Sequence, residues 1–553
     1  MKNYKKVYAA FILAGGLILH GCNGIFDDLA INPNQPSMGA YFTSPSAVND
    51  AVMTMYGYMS TQRCLGASGS KTTIIRSDEA SSNSDYGKPG MFGADLNASY
   101  YTIEQPYTLM YTTASQASYI IETAPSVDFS GNEEMRNAYM GEAYFWRAFA
   151  HYYLLINFRN ISPIRQMPRN GDDYVRPLEK PAAVWNFIQE DLAHAKELLP
   201  VKGYWDSKNA GRVTKASAAA LLGKAYLYRS GIEQYYGEDK TTFYSEAAKE
   251  FGDVIDGKYG TYDLTKNYAD NFDVAHENNE ESILEFQFLG DVDNAGFNPG
   301  LATSGLAFDS RGLMLPGAGV GYEGVVHNWL YNAFVNSVDK DGYTDIRMFS
   351  TMIFNDLDAS IHLRNDAGGN PVRLEGPGGY KWEELYPAKN GKEGFATVSN
   401  PLAHSFKAGI RKGIDCSMPT QTEADGTPKL VGVGAGVKEY VYNQPRAHGV
   451  NWRYIRYADV LMMYAEAIVS GGTQASNMTP LQAVNKVRGR VNMSELPSVT
   501  MTDIQNERIL EFALEGHRFY DLLRWGKLAS RFTELQESDP NFKKFISCLL
   551  YTS

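Results

Sequence analysis

The 553-residue chain is poor in the residues that build metal centres and redox sites. It holds four cysteines and nine histidines. No CxxC pair or His/Cys cluster occurs among them, which argues against structural zinc and against a disulfide framework. GxSxG, HExxH and Walker-type phosphate loops are missing too. One Gly-rich run, Gly432 to Val437, lacks the strand–helix frame that phosphate binding requires. Positive charge is in deficit: 51 Lys and Arg face 63 Asp and Glu, a formal charge of −12 at pH 7. Such a surface repels nucleic acid and anionic lipid headgroups. Long apolar runs are confined to the N-terminus, so no other stretch is suited to crossing a bilayer.

The N-terminus is where the chain first carries a positive signal. Lys2, Lys5 and Lys6 precede an apolar stretch from Val7 to Leu19, followed by Leu19-His20-Gly21-Cys22. This order of basic start, short apolar core and cysteine reads as a lipoprotein signal over residues 1–21, with Cys22 as the lipidated residue. An ordinary secretory signal with an incidental cysteine is the alternative. Residues 22–45, with Asn32-Pro33-Asn34-Gln35-Pro36, read as a polar tether that cannot continue a helix. Stable anchoring needs more than one acyl chain, since each buried methylene contributes about 0.8 kcal/mol. A Cys64–Cys416 bridge is left open. The ending Ser547 to Ser553 follows a charged helical segment without a stop signal and reads as foreign to the gene, so residues 536–553 are expected to be a truncated or artefactual tail.

The length exceeds the roughly 250–300 residues at which a single core stops growing, so several packed sub-regions are expected. Aromatics make up 13% of the chain, with 37 tyrosines, a composition that serves sugar-binding faces and a Tyr-rich helical core equally well. Positions 141, 144, 145, 148, 152 and 155 form a helical stripe on which small Gly141 and Ala148 would admit a close partner. Similar periodicity recurs over Val184 to Leu199, Ala216 to Tyr228, Tyr244 to Ile255, Ala458 to Ile468 and Leu481 to Val487. Large and small residues alternating in successive helix pairs resemble tetratricopeptide units. Between Gly290 and Asn451 the stripes fade, Gly and Pro become frequent, and short apolar runs alternate with turns.

The densest motif is Glu507-Arg508-Ile509-Leu510-Glu511-Phe512-Ala513-Leu514-Glu515-Gly516-His517-Arg518-Phe519-Tyr520-Asp521-Leu522-Leu523-Arg524-Trp525-Gly526. Charges interleaved with aromatics predict a partly buried ion-pair network, because desolvated charges persist only when paired. Glu511 and Glu515 are read one helical turn apart, and His517 and Asp521 share the i, i+4 spacing of a metal face. Without a third ligand, and with Arg508, Arg518 and Arg524 at hand, the structural reading prevails: these residues fix the last helices to the scaffold. The acidic pairs Asp78-Glu79 and Glu383-Glu384 are the candidates for glycosidase-type carboxylates. Both are expected to be solvated faces, and no active site is read.

The signature closely resembles that of the SusD/RagB family of nutrient-binding surface lipoproteins. Collinear matches support it: the lipobox, Gly141-Glu142-Ala143 to Ala148-Phe149, Ile161-Ser162-Pro163-Ile164, Gly211 to Ala216, Asn279 to Phe286 as a short strand, and Arg453 to Ala467. Asp345-Ile346-Arg347 departs from the family pattern, which places a proline between Asp and Arg. The resemblance implies a mainly α, SusD-like fold of tetratricopeptide-like helix pairs with a loop-rich excursion containing short strands. The expected divisions are a helical scaffold over 46–289, the excursion over 290–450 and the C-terminal helices over 451–535.

It also implies aromatic sugar platforms on an early loop and on the excursion. The matching regions hold Tyr86, Phe92, Asn97, Tyr100 and Tyr101, then Tyr322, Trp329, Trp382 and Tyr386. The residues singled out as ligand-binding are Tyr86, Asn97, Tyr100, Tyr322 and Trp382. A sugar presents an apolar C–H face and a polar rim, which flat aromatics flanked by amides can match. The expected role is capture of an oligosaccharide at the outer-membrane surface and delivery to a SusC-type TonB-dependent transporter, with no cofactor and no catalysis. Oligopeptide binding, a surface glycoside hydrolase and a purely structural surface protein are the alternatives.

Overall fold

The computed structural model describes residues 42–66, 71–81, 101–167, 175–288, 325–354, 359–365, 367–372, 407–412, 423–425, 430–432, 438–440 and 450–538. Among these residues six helices come first: α1 (Pro45–Ser60), α2 (Tyr101–Thr123), α3 (Glu133–Phe158), α4 (Pro181–Leu198), α5 (Lys215–Tyr236) and α6 (Tyr244–Ile255). Two short helices follow, α7 (Asn328–Val335) and α8 (Arg347–Thr351). The last group is α9 (Tyr457–Val469), α10 (Pro480–Arg490), α11 (Met501–Glu511), α12 (Arg518–Arg524) and α13 (Leu528–Ser538).

Local chemistry sets several of these boundaries. Ser44 caps α1 by accepting from the Ala47 N–H, with Pro45 in the first turn. Capping boxes start α10 (Thr479 with Gln482) and α11 (Thr500 with Asp503). Each of the six helical segments expected from periodicity lies within, or within one residue of, an observed helix. Gly141 does admit a close neighbour: a Cβ there would stand 2.9 Å from Leu199, at the end of α4.

From α1 to α6 each helix packs on the next, α6 then packs on α9, and α9 on α10. The helical stack therefore runs on across the excursion. The strands flanking it, β2 (Ser282–Phe286) and β8 (Trp452–Arg456), pair antiparallel with Ser282 opposite Arg456 and Phe286 opposite Trp452, closing its base. Within the excursion β6 (Leu430–Gly432) and β7 (Lys438–Tyr440) form a hairpin, Gly432 opposite Lys438.

Among the described residues one hydrophobic cluster extends from Phe42 to Leu523, with a small satellite at Tyr268, Val491 and Met493. A stack of helices lengthens its core layer by layer instead of dividing it. Much of the tyrosine content goes into that core, including Tyr139, Tyr152, Tyr228, Tyr454 and Tyr464. No described helix is long and apolar enough to cross a membrane.

Candidate functional site

Tyr86, Asn97, Tyr100, Tyr322 and Trp382 lie outside the described residues, as do Cys22, Cys416 and the pair Glu383-Glu384. What is described is the framework from which those segments depart. Strands β1 (Ala80–Ser81), β3 (Val325–Val326), β4 (Met352–Phe354) and β5 (Ala408–Ile410) form one sheet in the order β1-β3-β5-β4. All three pairings are antiparallel: Ser81 faces Val325, Val325 faces Gly409, and Met352 faces Ile410. Ser81 leads toward Tyr86 and Val325 follows Tyr322, so the pairing brings the roots of those two segments to one end of the sheet. The stretch carrying Trp382 enters β5 at the other end, at Ala408.

Trp329, at the start of α7, is a packed residue. Its indole N–H donates to the Asp78 carbonyl oxygen, and the Arg518 and Arg531 guanidiniums sit 5.4 and 4.4 Å from its ring centre.

The signature departs from the expectation that Glu511 and Glu515 lie one helical turn apart. α11 ends at Glu511, the chain turns through Leu514 (φ 63°) and Gly516 (φ 86°), and α12 begins at Arg518. Glu511 and Glu515 are consequently not a turn apart on one helix. They meet because both reach Arg456, whose Nη1 contacts Glu511 at 2.6 Å and whose Nε contacts Glu515 at 2.9 Å.

Around Arg456 the network is buried except at its edge, where the Arg488 side chain is 16% exposed. Arg456 also binds Glu281 at 2.7 Å, and Arg347 binds Asp345 at 2.8 Å, Glu507 at 2.5 Å and Glu511 at 2.9 Å. Arg488 closes on Glu507, Arg490 on Glu281 and Glu511, and Lys412 on Glu515. Five cations thus meet five carboxylates, and burial of the group costs less than burial of any member alone. Burial pushes the Glu511 carboxyl upward, but Arg490, Arg456 and Arg347 outweigh it and hold it well below the usual range. A second balanced group joins Lys224 and Arg508 to Asp459, Arg508 and Arg524 to Asp521, and Arg524 to Glu466.

Asp78 and Glu79 correct the expectation of a solvated pair: both are buried, at 0% and 1% exposure. Asp78 pairs with Arg518 at 2.9 Å and Arg531 at 2.8 Å. Burial raises its carboxyl, but those guanidiniums win and keep it ionised. Glu79 accepts the Leu514 N–H at 3.0 Å and the Ser77 hydroxyl at 3.3 Å, and no cation among the described residues pairs with it. Burial, against that N–H and reinforced by Asp78, pushes it up to about 8. Lys412, just past β5, donates to Tyr268 Oη at 2.6 Å and to the Ala513 carbonyl at 2.8 Å. The roots of β1 and β5 are in this way both clamped to the Phe512–His517 turn.

Among the described residues, the arrangement pairs buried charges and rigidifies the turn. Among the described residues no group of three or more His, Cys, Asp or Glu could hold a metal ion. His517 and Asp521 belong to different contacts: His517 faces Lys224 at 3.4 Å, whereas Asp521 is held by Arg508. Sequence reading missed Asp345, Arg347, Lys412 and Lys224 as members of these networks. Lys224 did carry a signal, a lone charge in the Ala-rich stripe of α5; the others sit in irregular segments where no periodicity marks a buried face.

Two family models match, in order along the chain: "Starch-binding associating with outer membrane" over residues 31–227 and "SusD family" over residues 421–547. A SusD-like protein of Bacteroides ovatus is 25% identical over 533 residues, covering 95% of this chain and 83% of its own. A SusD superfamily protein from Bacteroides vulgatus superposes with a TM-score of 0.65 at 22% identity, covering 91% of this chain and 92% of that one. A laminarin-binding SusD-like protein does so with a TM-score of 0.61 at 23% identity, over 91% and 96%. The first model takes in α1 to the middle of α5 and the second the end of the excursion, from before β6, to the signature helices; models, relatives and superposed structures together support the SusD/RagB family for this chain.

Proposed function

We propose that this protein captures an oligosaccharide at the outer-membrane surface, anchored through Cys22, and passes it to a SusC-type TonB-dependent transporter. The observation that carries the reading is the small four-stranded sheet. It brings the root of the segment bearing Tyr86 beside that of the segment bearing Tyr322 on a frame held rigid by the buried ion pairs. Rigid placement lowers the entropy lost when flat aromatics close on a sugar. The laminarin-binding relative shares the fold and supports a glycan as ligand. Binding and release suffice for this role, and no bond is made or broken. Release favours modest affinity, in the range of roughly −4 to −8 kcal/mol for millimolar to micromolar constants.

Calorimetric titration of protein starting at Asn23, against oligosaccharides and peptides, tests the reading, with Trp382→Ala and Tyr86→Ala alongside. Saturable sugar binding lost in either variant, without product formation, supports glycan capture. Binding to peptides alone selects the oligopeptide reading, and release of reducing ends selects a hydrolase. Radiolabelled palmitate incorporated by the whole chain but not by Cys22→Ala tests the anchor.

A further inference from the structure

Where the signature turn meets α3 and α5 the core holds a cavity of about 10 Å³ whose wall includes Thr73, Tyr152, Lys224, Tyr228, Trp452 and His517. One water molecule needs roughly 10–15 Å³ by this measure. Among the described residues, three side chains on that wall carry a polar atom with no partner at hydrogen-bond geometry: Tyr152 Oη, His517 Nε2 and Tyr228 Oη, the last with the Arg524 guanidinium beside its ring. Their residues are 0%, 1% and 5% exposed, so bulk solvent does not satisfy them. Buried hydroxyls and ring nitrogens are rarely left this way, and three on one cavity wall call for a common partner.

The chemistry of the wall selects that partner. Lys224 Nζ lies 3.4 Å from His517 Nδ1 and 3.3 Å from Asp459. An ammonium can only donate, so Nδ1 accepts and the hydrogen of the neutral imidazole sits on Nε2. Burial, reinforced by the Lys224 charge, holds His517 well below its ordinary range and keeps it neutral at pH 7. The wall thus offers one obligate donor, Nε2–H, and two hydroxyls that can donate or accept. An anion is disfavoured, because Asp459 offsets Lys224 and the Glu515 carboxylate also borders the cavity. A cation is disfavoured by Nε2–H and by Lys224 itself. A small neutral molecule that both accepts and donates meets every requirement.

We infer that this cavity is a binding site for one long-lived internal water, which accepts from His517 Nε2–H and is shared by the Tyr152 and Tyr228 hydroxyls. The water joins the signature turn to α3 and α5 and gives the signature histidine a positioning role distinct from the ion pairs around it.

The test is a high-resolution crystal structure of protein starting at Asn23, grown with and without sodium bromide. A single water within about 3.2 Å of all three atoms supports the site. A direct Tyr–His hydrogen bond closing the cavity, an anomalous bromide peak in it, or no ordered density there overturns it. Oxygen-17 relaxation dispersion provides a solution readout: the count of long-lived waters should fall by one in Tyr152→Phe/Tyr228→Phe, and an unchanged count in a folded variant overturns the proposal. Nitrogen-15 spectra should show His517 as the Nε2–H tautomer. The Nδ1–H form would remove the donor on which the water depends.

Discussion

Arg456 and Glu79 are both buried beside the signature turn, yet they face opposite electrostatic situations. Arg456 satisfies three carboxylates at once, Glu281, Glu511 and Glu515. Replacing it with methionine leaves those charges short of a partner, and Arg456→Met should lose about 3–5 kcal/mol in urea denaturation. A loss below about 1 kcal/mol would mean the network is incidental. Lysine should not rescue the site, since a point charge lacks the planar fork that reaches several oxygens. Glu79 has an N–H and a hydroxyl for partners but, among the described residues, no contacting cation. Its folded-state value of about 8 stands above its ordinary 4.5, so the folded protein keeps a proton that the unfolded chain gives up. The stability this contributes is full below the ordinary value and is lost as pH rises through about 8. Glu79→Gln removes the titration and keeps the acceptor for Leu514. It should gain on the native protein by on the order of 1–3 kcal/mol between pH 5 and 8. A pH-independent difference between the two would refute the protonated Glu79. None of this was legible locally, because the partners of Asp78 and Glu79 lie 440 and 435 positions along the chain.

At the scale of elements, six helical segments were legible and the break between α11 and α12 was not. Periodicity and caps are local, whereas the signature's charges and aromatics run unbroken through a turn. Gly516 was the available sign. It sits at φ 86°, and a Cβ there would stand 2.6 Å from Thr73 Oγ1. Gly516→Ala should therefore cost about 2–3 kcal/mol, from left-handed strain and overpacking together. An unchanged melting temperature would contradict this. Ile346 makes the opposite case. It precedes α8 at φ −60°, ψ −23°, and is 45% exposed. A proline can adopt that φ. Ile346→Pro should stabilise by about 0.4–1 kcal/mol by restricting the unfolded chain. Destabilisation would show that the Ile346 N–H has a role.

Across the whole molecule, buried ionisable groups set the pH range of stability. Burial holds His151 down to about 3 and His517 well below its ordinary value. Both stay neutral in the fold and protonate when it opens. The stability they contribute is present above about pH 6.5 and is lost as pH falls toward their folded values. Below about pH 4 the depressed carboxyls of Asp78, Glu281, Asp459 and Glu511 add losses of the same sign. The histidines act against Glu79 and against the raised carboxyls of Glu142, Asp191 and Asp521; with the depressed carboxyls added, thermal scans should show the melting temperature falling from pH 7 to pH 4. A flat profile would sink this account.

The sequence by itself determined where six of the helical segments lie and which family the motifs resemble. Amphipathic period, caps and collinear motifs are properties of neighbouring residues. Only the tertiary structure decided that one core runs through the stack, that β2 closes on β8 and that the carboxylates of the signature meet arginines from β8, α8 and α10. Pairing of buried charges depends on which distant elements come together, and that is settled by packing, not by local spacing.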